Sequence, residues 1–170
     1  MTFAADTTVP VERSRAEIEA TLTRYGATAF HYGWNEVKAI IEFTMSDRHI
    51  RFTLPLPDKN SKDFKYRLDQ RSNPPRKVPV DSAKSYKLWE QACRSRWRAL
   101  LLAVKAKLEA VEVGISCFDQ EFFAHIVDPG TGKTVYEIIA PQLAISYEQE
   151  RGAPRSSLLL TAAPVSDEEL

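Results

Sequence analysis

The chain has 170 residues, 44% of them apolar, and its 23 basic and 23 acidic side chains cancel to a formal net charge of zero. This length suits one globular domain with a real core, and the apolar fraction is too high for a disordered protein. No apolar run approaches the roughly 20 residues of a membrane span, and the first residues lack the regions of a signal peptide. Two cysteines are too few for a disulfide framework or a thiolate zinc site. We therefore expect a reduced, cytoplasmic protein with no membrane partner.

The chain begins with an expected flexible leader, residues 1–10, followed by a helix over residues 11–25. Ile18 and Leu22 are four residues apart and Tyr25 follows at three, which places one apolar stripe along a helix. An N-terminal amphipathic helix is therefore predicted.

The clearest pattern is a three-stranded meander within residues 29–57. Three segments alternate apolar and polar side chains, with turns expected at residues 35–36 and 46–48. A period of two with one apolar face is typical of an antiparallel sheet that helices cover on one side. Pro55 and Pro57 end the last strand or place it at an edge.

Residues 58–82 differ in composition from their surroundings, because they are rich in Lys, Arg, Asn, Ser and Pro. They predict a long basic loop. A connection of about 25 residues is long for a compact domain, and such loops are usually functional or mobile.

The second half of the chain predicts helices. Residues 83–113 contain neither Pro nor Gly, and their apolar side chains recur in steps of three and four over residues 89–111, which predicts one long helix. A shorter helix is expected near residues 118–126. Another is expected over residues 135–150, broken or restarted at Pro141.

Together these elements predict an α+β fold, in which a three-stranded antiparallel β-meander packs against one long helix, with an N-terminal helix and two C-terminal helices. A single domain is expected over residues 11–151. Residues 152–170 are expected to form a flexible tail with an acidic tip.

The net charge of zero is a cancellation between oppositely charged regions. Residues 59–107 carry fourteen basic and four acidic side chains, a net of +10, whereas residues 1–58 sum to −2 and residues 108–170 to −8. Neutrality of the whole chain therefore does not exclude a polyanionic partner. The two charged regions are expected to attract each other, within one chain or between chains, as a homo-oligomer would allow.

The positive charge falls on the predicted loop and on one side of the long helix. Four basic residues of the helix, from Lys87 to Lys105, are spaced by seven, four and seven residues and share a face away from the apolar stripe. Basic side chains interleaved with aromatic ones suit a contact that follows a nucleic-acid backbone and stacks on bases. The candidate nucleic-acid-binding residues are Lys59, Lys62, Lys65, Tyr66, Arg67, Arg71, Arg76, Lys77, Lys87, Arg94, Arg98 and Lys105. The alternative is a long amphipathic helix that solvates its outer face with Lys and Arg.

Residues 129–134, Pro-Gly-Thr-Gly-Lys-Thr, look like the end of a phosphate-binding P-loop. The full motif needs a glycine at a position that Val127 occupies, so a Gly-rich turn between helices, or a small hairpin, is favoured. Glu36 and Lys38 match the E-x-K half of a metal-dependent nuclease core, but the acid that such a core needs on an upstream strand is missing.

The polar face of the meander carries His31, Lys38, Glu42, His49 and Arg51. Two imidazoles and a carboxylate on adjacent strands could ligate a metal or act as an acid–base pair. A solvated face with cross-strand ion pairs, such as Glu42 with Arg51, is the favoured interpretation.

For three further residues with reactive side chains, the sequence predicts a structural role. His125 is expected to be a partly buried helix residue, and Cys93 and Cys117 to be inert core thiols. The sequence therefore predicts no catalytic residue, no cofactor and no metal ligand.

Five segments within residues 11–148 carry a resemblance. They are Arg13-Ser14-Arg15-Ala16-Glu17-Ile18-Glu19, Arg24-Tyr25-Gly26-Ala27, Tyr32-Gly33-Trp34, Ile50-Arg51-Phe52 through Pro57-Asp58, and Trp97-Arg98-Ala99-Leu100 through Lys107-Leu108-Glu109-Ala110. Together they resemble a group of small proteins from phage and prophage genomes. The resemblance implies phage DNA metabolism or host takeover, within the host cytoplasm, and assigns no activity and no catalytic residue.

Three functional hypotheses follow from the sequence. The first is a non-enzymatic nucleic-acid-binding accessory protein of phage type that uses the basic loop and the basic helix face. The second is a protein-interaction module or inhibitor that acts on a host defence or replication factor through its charge dipole. The third, which trails, is a metal-dependent nuclease or hydrolase on the polar sheet face.

Overall fold

A computed structural model describes residue 4 and residues 6–152 of the chain. In chain order the elements are α1 (Val11–Arg24), β1 (Ala29–Trp34), β2 (Lys38–Met45), β3 (Arg48–Pro55), α2 (Lys62–Lys65), β4 (Tyr66–Asp69), β5 (Arg76–Pro79), α3 (Ser82–Glu112), α4 (Phe118–Phe122), a 3-10 turn (Phe123–His125) and α5 (Val135–Gly152). The expected tail, beyond residue 152, and four residues of the expected leader lie outside the described residues. The predicted α+β class, with an antiparallel meander and one long helix, is confirmed.

The three long strands form an antiparallel sheet in the order β1-β2-β3. A two-residue turn joins β2 to β3, and its residues Ser46 and Asp47 have φ of 52° and 57°. Positive φ at both positions is the geometry that matches the right-handed twist of a hairpin. At the other turn the Asn35 side chain accepts hydrogen bonds from the backbone amides of Val37 and Lys38, at 2.9 and 2.8 Å. Both turns lie where the sequence predicts them.

The core lies between the sheet and helices α1, α3 and α4. One face of β2 buries Ile41 and Phe43, and α3 buries Leu101, Val104 and other residues of its apolar stripe. The N-terminal helix adds Ile18 and Leu22 to the same cluster, and α4 adds Phe122. Alternation in the strands and steps of three and four in the helices therefore bring one apolar face of each element together.

Helix α3 is longer than the part of it that the core covers. Asp81 caps its first turn by accepting a hydrogen bond from the Ala83 amide at 3.1 Å, and Gly114, at φ 75°, follows its end. The first buried residue of α3 is Cys93, eleven residues after the helix begins at Ser82. The N-terminal third of α3 therefore lies outside the main core.

The described residues divide into two compact units, with the boundary between Tyr136 and Glu137. Most of α5 belongs to the second unit. The helix continues through Pro141, where the sequence predicted a break or restart, at the expense of one backbone hydrogen bond. Its apolar residues Leu143, Ile145 and Tyr147 are exposed. No helix within the described residues is long and apolar enough to span a membrane.

Residues 58–82, for which the sequence predicts a loop, contain α2 and a two-stranded sheet of β4 and β5. The connection between these strands is held by local bonds, because the Ser72 hydroxyl donates to the Asp69 carbonyl at 2.9 Å and accepts from the Arg76 amide at 3.0 Å. The Val80 amide donates to the Lys65 carbonyl at 2.8 Å and closes the base of the hairpin. Each strand has only four residues, which is too short for an alternating pattern to stand out in the sequence.

Candidate nucleic-acid interface

A strongly basic surface segment follows the meander, and we call residues 58–80 the basic arm. It contains α2 and the β4–β5 hairpin, and its seven Lys and Arg side chains are all exposed, against three Asp. The sequence-predicted residues that it brings together are Lys59, Lys62, Lys65, Tyr66, Arg67, Arg71, Arg76 and Lys77. Within the described part of the chain, no ion pair joins any of these seven cations to a carboxylate. Within the described chain, their charge is therefore not neutralised by a paired carboxylate.

The hairpin of the arm presents cations on both of its faces. Leu68 is paired with Lys77, and Arg67 with Val78, and directly opposed residues of an antiparallel pair share a face. Tyr66 lies on the same face as Leu68, and their side chains are 45% and 54% exposed. One face of the hairpin therefore combines a cation with exposed apolar surface, the combination that stacks on bases while it neutralises phosphates.

The basic face of α3 is mostly covered by α1. Lys87 is exposed, whereas Arg94, Arg98 and Lys105 are half-buried. The Arg98 guanidinium donates to a Glu17 carboxylate oxygen at 2.7 Å, and the Lys105 ammonium lies 3.9 Å from the same oxygen. These residues share one face of α3, as their spacing predicts. The spacing within one helix does not indicate which neighbouring element covers that face. Arg98 and Lys105 connect α3 to α1 through Glu17. Less of their charge is therefore exposed to solvent than the sequence predicted.

Glu17 ties the two helices together, and this contact has a consequence for stability. Its hydrogen bond from Arg98 holds the pKa of the Glu17 carboxyl below its usual value, with Arg13 and Lys105 adding to the effect. A carboxyl with a lowered folded-state pKa stabilises the fold fully above its unfolded pKa of about 4.3, and loses that contribution as the pH falls through the folded value.

We expect Glu17→Gln to lower the free energy of unfolding by about 1 kcal/mol at neutral pH, since the pair is partly exposed and screened. The difference from wild type narrows as the pH falls below the unfolded pKa of about 4.3 and through the lower folded-state pKa, because the wild-type carboxyl then becomes neutral like glutamine. Urea unfolding followed by circular dichroism over a pH series measures this. Glu19→Gln on the exposed side of α1 is the matched control and leaves stability nearly unchanged. An equal loss in both variants would contradict the assignment.

An aromatic cavity of about 450 Å³ lies between the start of α1, the ends of β1 and β3, and the first half of α3. We call it the aromatic cavity. Its aromatic lining residues are Tyr32, Trp34, Tyr86, Trp89 and Trp97. Trp97 is 3% exposed, whereas Trp34 is 69% exposed. The Trp89 indole N–H donates to the Pro57 carbonyl at 2.9 Å, which fixes this ring beside the basic arm. The cavity therefore has a buried aromatic floor and an exposed aromatic edge.

Cations lie on the faces of these rings. The Arg15 guanidinium carbon is 3.7 Å from the centroid of the Tyr32 ring. The Lys59 ammonium is 5.0 Å from the Tyr86 centroid and 5.5 Å from that of Trp89. Both distances fall within the range of cation–π contacts. Lys59 belongs to the basic arm, so a cation of the arm lies over two rings of the cavity lining.

The uncharged groups of the cavity stay uncharged at neutral pH. Burial raises the pKa of the Tyr32 hydroxyl and of the Cys93 thiol. Arg94, which also lines the cavity, donates to the Gln91 side chain at 2.6 and 3.1 Å. The charged groups of the lining are therefore the side chains of Arg15 and Arg94 with Glu12 and Glu90.

No protein-family model, curated protein or solved structure matches this chain. The function is therefore argued from the chemistry of its own residues.

The aromatic cavity is not among the features predicted from the sequence. Tyr32 and Trp97 carry the signal of core positions, and their rings do pack together at 5.7 Å between centroids. Trp34 continues the same alternation, but it is the last residue of β1 and extends past the core. The sequence signal that could have indicated the cavity is an apolar alternation that continues to the last residue of a strand.

The polar sheet face has the arrangement expected of a solvated face. The predicted ion pair between Glu42 and Arg51 is present, and the His49 ring nitrogen lies 3.7 Å from the same carboxylate. Arg51 also donates to the Gly132 carbonyl at 2.8 Å. Among the residues that the structure describes, no group of three or more His, Cys, Asp or Glu is arranged to hold a metal ion. These contacts hold the sheet to the Gly-rich turn.

The Gly-rich turn is closed by its own carboxylate. Asp128 accepts hydrogen bonds from the Thr131 amide at 2.9 Å and from its hydroxyl at 2.7 Å, and these bonds lower the pKa of Asp128. An ionised carboxylate inside the turn repels a phosphate. A 3-10 turn precedes the segment, and an isolated bridge from Val127 to Thr134 closes it. The interpretation as a Gly-rich turn fits this geometry.

The two cysteines differ in exposure. Cys93 is buried, as predicted, whereas Cys117 is exposed, so the prediction of a core position for Cys117 is wrong. The apolar neighbours of Cys117 in sequence belong to α4, and Cys117 precedes that helix as its N-cap. His125 is partly buried in the 3-10 turn and stacks on Phe52 at 4.0 Å between ring centroids, and burial lowers its pKa.

Proposed function

We propose that this protein binds nucleic acid as a non-enzymatic accessory protein of phage type, with the basic arm as the main contact. The observation that carries the proposal is the set of seven exposed cations on the arm, none of which is paired with a carboxylate of the described chain. A protein that only solvates a helix face intersperses both signs along it. Here seven exposed cations against three carboxylates lie on one short segment, the basic arm.

The chemistry of such an arm is the release of counterions from phosphates. Each Lys or Arg that neutralises a phosphate frees a condensed cation, and this release supplies most of the affinity of sequence-independent binding. A two-stranded ribbon also has dimensions that a major groove accepts, and the exposed Tyr66 and Leu68 supply apolar contacts for bases. The arm by itself therefore suits either a duplex or a single strand.

The test is a salt titration by fluorescence anisotropy, with labelled single-stranded and duplex oligonucleotides of mixed sequence. If all seven cations contact phosphates, log K falls against log salt with a slope of about −5 for single strands and about −6 for duplexes. Affinity then drops about a thousandfold between 50 and 200 mM salt. Competition with polyglutamate, which carries charge without bases or phosphates, is the control for polyanion binding.

Absence of any anisotropy change at 50 mM salt would remove this proposal. The alternative from the sequence, a protein-interaction module acting on a host factor through its charge dipole, stays a prediction. This alternative requires that the protein bind a defined protein partner, or form a defined oligomer, and that charge-reversing substitutions on the arm weaken that association.

A further inference from the structure

The aromatic cavity has the size and lining of a ligand site. Ligand pockets commonly enclose about 300–1,000 Å³, with mostly apolar and aromatic walls and a few polar groups. The cavity encloses about 450 Å³, and five of its thirteen lining residues are Tyr or Trp. Trp34 and Tyr86 are 69% and 43% exposed at its edge, so part of each side chain is accessible to a ligand.

Aromatic walls select two kinds of ligand, namely cations and flat π-systems. The chain's own cations decide between them. Arg15 lies over Tyr32, and Lys59 lies over Tyr86 and Trp89, so these ring faces already hold positive charge. A further cation would be repelled, whereas a flat, electron-rich ring can stack on Trp34 and on the guanidinium plane of Arg15.

The charged groups of the lining, together with Lys59 beside it, fit the remaining parts of a nucleotide. Arg15 and Lys59 can bind a phosphate at the edge of the cavity, as cations do elsewhere in nucleic-acid sites. The carboxylates of Glu12 and Glu90 are acceptors for the exocyclic amino groups that bases present at their edges. A nucleotide therefore offers a partner to each kind of side chain at the cavity: its base stacks on the aromatic rings, its phosphate binds the cations, and its amino groups donate to the carboxylates.

We infer that the aromatic cavity binds the base of one nucleotide, with the attached phosphate held by Lys59 and Arg15. Where that nucleotide is part of a strand, the inference rests on the proposed function, because Lys59 of the basic arm lies over the Tyr86 and Trp89 rings of the cavity. A base reaches the cavity only when it is unstacked, which favours a single strand over a duplex. A free mononucleotide has the same chemistry and is the other source of such a base.

Trp34→Ala is the main test variant, since an exposed side chain can be removed without a cavity in the core. We expect it to weaken binding of a labelled single-stranded 12-mer about tenfold, and to leave the slope of log K against log salt unchanged, because stacking is lost and no phosphate contact is. Tyr86→Ala is a second variant on another wall. Phe123→Ala, an exposed aromatic outside the cavity lining, is the matched control with wild-type affinity.

Two further readouts separate the sources of the base. A 12-mer with a central 2-aminopurine reports stacking through quenching of its fluorescence, and deoxyadenosine monophosphate tests the free nucleotide through quenching of tryptophan fluorescence. Normal binding and unchanged 2-aminopurine quenching in both cavity variants would overturn the inference and leave the proposed function standing. Quenching by the mononucleotide, with no binding of any strand, would remove the proposed function and support the cavity. Failure of both titrations would overturn both.

Discussion

Replacing Phe122 with alanine is expected to lower the free energy of unfolding by about 3–5 kcal/mol. Phe122 is fully buried, and its ring meets those of Phe43 and Phe52 edge-to-face, at 6.0 and 6.2 Å between centroids. It also stacks on Phe118 of the same helix at 4.6 Å. Truncation leaves a cavity where α4 packs on the sheet, and the edge-to-face contacts are lost together with the buried area.

The neighbouring residue supplies the control for this prediction. Phe123 is 57% exposed, so Phe123→Ala removes an aromatic ring of the same size at almost the same place in the chain. We expect its effect to stay within about 0.5 kcal/mol. Urea unfolding followed by circular dichroism compares the two variants. Equal destabilisation by both substitutions would contradict the packing of α4 described here.

Reversing two charges on the basic arm, Arg67→Glu with Lys77→Glu, is expected to weaken nucleic-acid binding about a hundredfold at 50 mM salt. Two phosphate contacts account for about 1.4 to 1.8 units of the salt slope, and this difference corresponds to roughly 70- to 200-fold between 50 mM and 1 M salt. Both side chains are exposed and belong to the hairpin alone, so the core is not affected. Anisotropy titrations at several salt concentrations measure both the affinity and the slope.

The matched control is Lys38→Glu with Lys133→Glu, which changes the net charge by the same amount at exposed positions outside the arm. We expect this variant to retain the wild-type slope, with only a small uniform loss from the altered net charge. If the two double variants lose affinity equally, binding depends on the total charge of the protein and the arm is not the contact surface.

Most of the core could be predicted from the sequence, because periodicity reports burial directly. Alternation along β2 predicts that Ile41 and Phe43 are buried on one face. Steps of three and four in α3 predict that Trp97 and Val104 are buried. The turn at Ser46 and Asp47 is also marked locally, by residues that tolerate positive φ. In each case one segment contains the whole signal.

The candidate interface was harder to predict, because it depends on which segments meet. The sequence identified the cations of the arm, but strands of four residues gave too little pattern for the hairpin. The Arg98 side chain had the spacing of an open face, and only the position of Glu17 on α1 shows that it is paired. The aromatic cavity combines residues from Pro10 to Trp97, and no local pattern reports such an assembly.

The uninterrupted course of α3 fixes the distance between the point where the basic arm joins the helix and the wall of the aromatic cavity. The arm joins this helix at Ser82, and the cavity wall begins on it at Tyr86 and Trp89. Seven residues of helix rise about 10 Å, close to the length of three stacked nucleotides at about 3.4 Å each. Under the proposed function, a stacked single strand that contacts both Ser82, where the arm joins the helix, and the wall of the cavity spans about three nucleotides.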